Sequence, residues 1–194
     1  RLIRSWNEEW IALSSNIAKK IATLVGAQPE EIFVGDTTSL NLYKLLFAAL
    51  DFQKGKEKII TDALNFPSDL YVLEGLVRKH FKNHQIEIIG DANEISLDSN
   101  LFKEKLDLNT ALLTLSLVTY KSAFMYQMKA INALAHDKNS LVLWDVSHAV
   151  GAVPIDLNNS NADLAVGCTY KYLNGGPGAP AFLYVSKALQ ASLK

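Results

Sequence analysis

The chain has 194 residues, of which 49% are hydrophobic and 20% are charged, and its formal net charge at pH 7 is −1. This length and composition are typical of a globular domain with a sizeable core, and they exclude a disordered or collagen-like chain. The near-zero net charge argues against nucleic-acid binding, and no apolar run approaches the roughly 20 residues that cross a bilayer, which argues against a membrane protein.

The first predicted element is an amphipathic helix near the amino end. Apolar side chains recur at steps of three and four from Trp6 to Leu24 and form one stripe, and Gly26 is a natural stop for this helix. A short apolar run at residues 31–34 predicts the first strand. A second helical pattern begins near Ser39.

Short apolar runs and helical patterns then alternate along the chain. The predicted strands are at residues 58–61, 85–89, 111–118, 140–145, 164–168 and 181–185, and the predicted helices are at 68–81, 99–105, 123–138 and from 186 onward. This alternation predicts an α/β domain with a mostly parallel seven-stranded sheet and helices on both faces. The link between residues 168 and 181 is too short for a crossover helix, so we expect it to join antiparallel strands.

Open α/β sheets bind ligands at the carboxyl ends of their strands, so the residues that follow each strand are the candidates for function. Thr38 and Ser39 follow the first strand and open a helix. Free backbone N–H groups and hydroxyls at this place suit a phosphate group, although the hydroxyls can equally be simple helix caps. Ser116 interrupts an apolar strand, where a buried serine bonds either to backbone or, near the strand end, to a ligand.

The second strand is followed by Phe66, Pro67, Ser68 and Asp69. Proline and an acidic residue are ordinary at the start of a helix. Phe66 is either a core residue or an aromatic cover for a flat ligand.

Two later strand ends carry groups that are costly to bury. Asp145 ends a buried strand and, if ionised, needs a cationic partner such as a protonated ring nitrogen; a capped turn, with His148 as a core histidine, is the alternative. Lys171 follows another strand, between Tyr170 and Tyr172 and before a glycine-rich turn. A lysine in apolar surroundings can form a Schiff base, whereas most lysines are simply solvated.

These features together match the requirements of pyridoxal 5′-phosphate (PLP). That cofactor needs an anchored phosphate, a stacked ring, a carboxylate at its ring nitrogen and a lysine for its aldehyde. The set is therefore more specific than any one of its members.

Four separate segments, at residues 36–41, 66–69, 145–151 and 170–178, resemble the kynureninases in order and spacing. These are fold-type I, class V aminotransferase-like PLP enzymes, and the resemblance covers nearly the whole chain. It implies that Lys171 is the Schiff-base lysine, Asp145 pairs with the pyridine nitrogen and Phe66 stacks on the ring. It also implies a cofactor environment completed by Thr38, Ser39, Pro67, Ser68, Asp69, Ser116, His148 and Tyr170, with no metal ion.

The resemblance further implies the hydrolysis of L-kynurenine, or of 3-hydroxykynurenine, to an anthranilate and L-alanine, with Tyr170 as a candidate proton donor. This reaction belongs to tryptophan catabolism and NAD biosynthesis, in a cytoplasmic homodimer that takes a small-molecule substrate. Family members are about twice this length. We therefore expect residues 1–194 to be part of the PLP-binding large domain, truncated at both ends and without the C-terminal small domain, and we expect this fragment alone to be inactive.

Other activities of the same fold stay open. A class V aminotransferase uses the same core residues, and an inactive PLP-binding scaffold would also retain them. Cysteine desulfurases typically have a histidine before the lysine and a mobile cysteine nucleophile. Here Tyr170 precedes Lys171, and the single cysteine, Cys168, is better interpreted as a core residue. A single cysteine also excludes an internal disulfide, consistent with a reducing compartment.

Overall fold

A seven-stranded sheet forms the centre of the computed structural model, which describes residues 2–193. The strands are β1 (Ile32–Val34), β2 (Lys58–Asp62), β3 (Gln85–Ile89), β4 (Thr110–Ser116), β5 (Leu141–Asp145), β6 (Leu164–Cys168) and β7 (Ala181–Val185). Their order in the sheet is β1-β7-β6-β5-β4-β2-β3. The four pairings among β2 to β6 are parallel, and β7 is antiparallel to both β6 and β1, so the predicted fold class is confirmed.

The helices are α1 (Leu2–Ser5), α2 (Ile11–Val25), α3 (Thr38–Phe52), α4 (Pro67–His80), α5 (Ser99–Lys105), α6 (Met128–His136) and α7 (Lys187–Gln190). A π-helical turn at Trp6–Trp10 joins α1 to α2, and a 3₁₀ turn at Pro29–Glu31 precedes β1. The predicted helix at 123–138 is wrong in its first part. A β-bridge between Val118 and Met125 closes a loop before α6 begins.

The core has two layers because helices cover both faces of the sheet. Helices α3 and α4 pack on one face, around Leu112 and Leu143, and α2, α5 and α6 pack on the other, around Leu113 and Trp144. Every residue of β4, β5 and β6 is buried, as expected for central strands covered on both sides.

The predicted apolar stripe of the first helix differs from the face that the helix buries. Burial in α2 falls on Ala18, Ile21, Ala22 and Val25, whereas the Trp6 and Trp10 side chains are half-exposed, as are those of Leu13 and Leu24. Small side chains let the helix backbone approach the sheet closely, so the buried face follows the packing geometry rather than side-chain size. Within residues 2–193, no helix is both long enough and apolar enough to cross a membrane.

Candidate active site

Most of the predicted site residues meet in one cavity of about 180 Å³ at the carboxyl ends of the parallel strands. Its lining consists of Thr37, Thr38, Ser39, Phe66, Ser68, Asp69, Asp145, Ser147, Tyr170 and Lys171. These residues come from the segments that follow β1, β2, β5 and β6, and they become neighbours because parallel strands end at the same edge of the sheet. A larger groove of about 750 Å³, between α4 and the start of β3, contains none of the predicted site residues.

The amino end of α3 forms one end of the cavity. Thr37 is the N-cap, and its Oγ1 accepts a hydrogen bond from the Leu40 N–H at 3.3 Å. The simple capping role considered for Thr38 and Ser39 is therefore filled by the preceding residue. Both of these residues lie in the first turn of a helix of 15 residues, where N–H groups and the positive end of the helix dipole attract a phosphate.

Phe66 occupies the next part of the cavity wall. Its ring centroid lies 5.2 Å from that of Tyr120, at 84°, and 5.8 Å from that of His148, at 49°. The Nζ atom of Lys171 lies 5.3 Å from the Phe66 centroid. Phe66 is therefore beside the lysine at the cavity rather than in the core, with a ring available to cover a planar ligand.

Asp145 and Asp69 are two buried carboxyl groups on the same side of the cavity, each 5% exposed. Asp145 Oδ1 accepts the Ser147 N–H at 2.8 Å, and Asp69 Oδ1 accepts the Ser68 hydroxyl at 3.4 Å. Burial, and then the nearby negative charge of Asp145, raise the pKa of Asp69 above its usual range. Asp69 therefore binds a proton more readily than an exposed aspartate does.

Two buried oxygens of this part of the cavity, Asp69 Oδ2 and Ser147 Oγ, have no hydrogen-bond partner among residues 2–193. Unpaired buried polar atoms are costly and are expected at sites that bind a polar ligand. A ring N–H beside Asp145 would place a donor in this environment, and the residues present therefore fit a protonated heterocycle such as that of PLP. Ser147 was not among the predicted site residues, although its position directly after a strand-end aspartate is a signal that could have identified it.

Lys171 lies at the centre of the site, next to His148. Its Nζ atom is 2.8 Å from His148 Nε2 and 5.6 Å from the centroid of the Tyr170 ring. Burial, and then the nearby charge of Lys171, lower the pKa of His148, so its imidazole is neutral and can accept a hydrogen bond from the lysine ammonium. The structure thus brings Lys171 and His148 together, and the role of His148 toward the cofactor stays a prediction.

Three predicted site residues are outside the cavity lining: Pro67, Ser116 and His148, the last of which contacts the cavity residues Lys171 and Phe66. The Ser116 hydroxyl donates to Asn65 Oδ1 at 2.7 Å, and the residue is buried beneath the site. Pro67 is the first residue of α4, where its missing N–H costs no helical hydrogen bond. The role of Ser116 at the cofactor therefore stays a prediction, and the structure adds Asn65 as a neighbour that sequence reasoning missed.

Comparison with known protein families shows which family this chain belongs to. The sequence profile of the family described as "Aminotransferase class-V" matches residues 1–194. The chain belongs to the class-V aminotransferase family. Solved structures support the same fold, and their sequence identity to this chain is too low to show more than the fold. A C-DES variant whose title describes glycine covalently linked to the PLP cofactor has a TM-score of 0.84 and 16% identity, over 97% of this chain and 49% of the other. A cysteine desulfurase from Thermococcus onnurineus NA1 has a TM-score of 0.80 and 22% identity, over 93% and 44%.

Within this class-V family, the curated relatives similar to the chain include kynureninases. The kynureninase of Pseudomonas fluorescens is 43% identical over 193 residues, which cover 97% of this chain and 45% of that protein. The kynureninase of Burkholderia mallei (strain SAVP1) is 39% identical over 198 aligned positions, covering 100% and 46%. The chain thus spans less than half the length of these relatives.

Proposed function

We propose that this chain is the cofactor-binding part of a kynureninase, a PLP-dependent hydrolase that cleaves the Cβ–Cγ bond of L-kynurenine to give anthranilate and L-alanine. The observation that carries the proposal is the meeting of Lys171, Asp145, Phe66 and the α3 amino end in one cavity, in a chain 43% identical to a kynureninase. The cysteine desulfurase alternative is weaker because Cys168 is buried in β6 and Tyr170 stands before the lysine.

Each part of the cavity has a distinct task toward the cofactor. The first turn of α3 would hold the phosphate through its N–H groups and the hydroxyls of Thr38 and Ser39. Asp145 would accept a hydrogen bond from the protonated ring nitrogen, and Phe66 would cover the ring. When bound, PLP supplies an aldehyde that captures an amino group and a ring that accepts electrons from the substrate carbon.

Lys171 has two tasks in this proposal. Its amine would hold the cofactor through the aldehyde, and as a free amine it would act as the base that takes the proton from the substrate Cα. Neutral His148, 2.8 Å from Nζ, receives a hydrogen bond from the lysine and orients it. This hydrogen bond is consistent with a lysine held at the cavity instead of extending into solvent.

Asp69 would limit the negative charge beside the ring nitrogen, because burial and the nearby charge of Asp145 raise its pKa and favour its protonated form. Ser68 stabilises Asp69 from the first turn of α4. Tyr170 lines the same cavity beside Lys171 and is the candidate donor of the proton to the carbon released by Cβ–Cγ cleavage.

The wider biological setting is part of the proposal. In this proposal residues 1–194 form part of the large PLP-binding domain, and the chain aligns with less than half the length of its kynureninase relatives. The substrate is L-kynurenine or 3-hydroxykynurenine, the assembly is a homodimer, and the role is tryptophan catabolism and NAD biosynthesis in the cytoplasm. These statements follow from the family resemblance.

The test is to incubate the full-length protein, loaded with PLP, with L-kynurenine and to measure fluorescent anthranilate and alanine in equal amounts. Lys171→Ala should abolish product formation, whereas the matched change of an exposed lysine, Lys187→Ala, should not affect it. A keto acid without anthranilate would instead assign the protein to the transaminating members of the family. Folded, PLP-loaded protein that forms no anthranilate would overturn the proposal.

A further inference from the structure

A buried asparagine, Asn65, lies in the short link between β2 and α4, directly before Phe66. It is 3% exposed, and both polar atoms of its side chain have hydrogen-bond partners. Its Oδ1 accepts the Phe66 N–H at 2.9 Å and the Ser116 hydroxyl at 2.7 Å. Its Nδ2 donates to Thr61 Oγ1 at 3.2 Å and to the Thr114 carbonyl at 3.5 Å.

These four hydrogen bonds join three parts of the fold. Thr61 belongs to β2, Thr114 and Ser116 belong to the neighbouring strand β4, and the Phe66 backbone opens α4. These hydrogen bonds therefore tie the position of Phe66 to the central strands of the sheet and not only to its own loop. Asn65 is not itself in the cavity lining, so it acts on the site through Phe66.

The chemistry of the position is specific to asparagine. Here the Oδ1 atom accepts two hydrogen bonds and the Nδ2 atom donates two. The amide of asparagine can do both with one short side chain. An aspartate would turn a second acceptor toward the Thr114 carbonyl and add a buried charge near Asp69. Alanine or serine would leave buried groups without partners.

We propose that Asn65 is the positioning residue that holds the Phe66 ring against the cofactor face. The inference rests on the proposed PLP site, but it concerns how this chain orders its own residues there. The Phe66 ring contacts Tyr120 and His148, and its carbonyl accepts hydrogen bonds from the first turn of α4. Its N–H, in contrast, is tied to the sheet through Asn65. Without the hydrogen bond to Asn65, the Phe66 side chain would still lie in the cavity wall but would cover the cofactor ring poorly.

The test compares Asn65→Ala with Asn132→Ala in the full-length protein. Asn132 is a matched control because it is fully buried, accepts the Trp144 Nε1–H at 2.9 Å and donates to the Ser160 carbonyl at 2.8 Å, with no member of its network in the cavity. Both variants should lower the melting temperature. Only Asn65→Ala should weaken PLP binding, by about tenfold, and reduce the circular dichroism of the bound cofactor band.

Thr61→Val provides a second, milder variant if Asn65→Ala does not fold. It keeps the shape of Thr61 and removes only the oxygen that accepts from Asn65 Nδ2, and Thr61 is not part of the cavity. It should cause a smaller change in the same two cofactor readouts. Equal PLP affinity and dichroism in the Asn65 or Thr61 variant and the Asn132 variant would overturn the positioning role while leaving the proposed function intact. Failure of the unmodified protein to bind PLP would overturn both.

Discussion

Asp62→Asn should remove a pH dependence of stability that has its origin in a single buried carboxyl group. Asp62 ends β2 and is fully buried; its Oδ1 accepts the Leu64 N–H at 2.8 Å and its Oδ2 accepts the Tyr126 hydroxyl at 2.7 Å. Burial raises the pKa of Asp62 to about 6, and these hydrogen bonds oppose the rise.

The sign of the effect follows from linkage between proton binding and folding. Because the folded protein binds the Asp62 proton more tightly than the unfolded chain does, this group stabilises the fold at low pH. That stabilisation is lost as the pH rises through about 6. The difference from the ordinary pKa of 3.8 corresponds to about 3 kcal/mol in the free energy of unfolding, most of it lost between pH 4 and 7.

The assay is urea unfolding of the PLP-free protein and its Asp62→Asn variant from pH 4 to pH 7. The difference between the two proteins is the useful quantity, because the other titrating groups contribute equally to both. Over this range the unfolding free energy of the unmodified protein should fall relative to that of the variant by about 2.4 kcal/mol. Tyr126→Phe removes a donor that lowers the pKa of Asp62, so it should extend the pH dependence upward. Parallel pH profiles for the unmodified protein and Asp62→Asn would refute the reasoning.

Three further predictions follow from the site and the core. Lys171→Ala should abolish borohydride-fixed PLP, measured by mass spectrometry, and retained labelling would show that another amine holds the cofactor. Gly151→Ala should destabilise the fold by about 1–3 kcal/mol and weaken PLP binding. The reason is that Gly151 has φ +84° and that a Cβ there would lie 2.8 Å from the carbonyl oxygen of Tyr172, the residue after Lys171. An unchanged melting temperature and cofactor titration would contradict this prediction. Leu113→Ala, at a fully buried site, should lower the free energy of unfolding in urea by about 2–5 kcal/mol. Leu108→Ala, at a 70% exposed site, should change that free energy by less than about 0.5 kcal/mol. Similar losses in both variants would contradict the assigned core.

Local sequence pattern was sufficient to predict the order of the elements and most of the cavity. Strands with apolar residues on both faces require helices on both sides, and that requirement leads to a parallel sheet whose strand ends share an edge. For this reason Asp145 and Lys171, which are distant in the chain, were correctly expected near each other. The antiparallel pairing of β6 and β7 also followed from the length of their link alone.

The sequence pattern was less informative about which partner or neighbour an individual side chain contacts. Thr37, whose backbone is extended, caps α3 rather than Thr38, and three consecutive hydroxyl residues in the sequence do not show which of them will do so. Trp6 and Trp10 belong to the predicted apolar stripe, but they lie in a π-helical turn and are half-exposed, because an apolar period does not show which face of a helix the sheet will cover.

The sequence by itself determined the fold class, the strand-end positions of the lysine and the aspartate, and the glycine-rich turn after Lys171, because these depend on short-range periodicity and on which residue follows each strand. Only the tertiary structure decided that Ser116 donates to Asn65, that Asp62 bonds to Tyr126, and that Asp69 lies close enough to Asp145 for its pKa to rise. The physical reason is that a buried polar group must find its partner across the fold, and the identity of that partner is a property of packing in three dimensions.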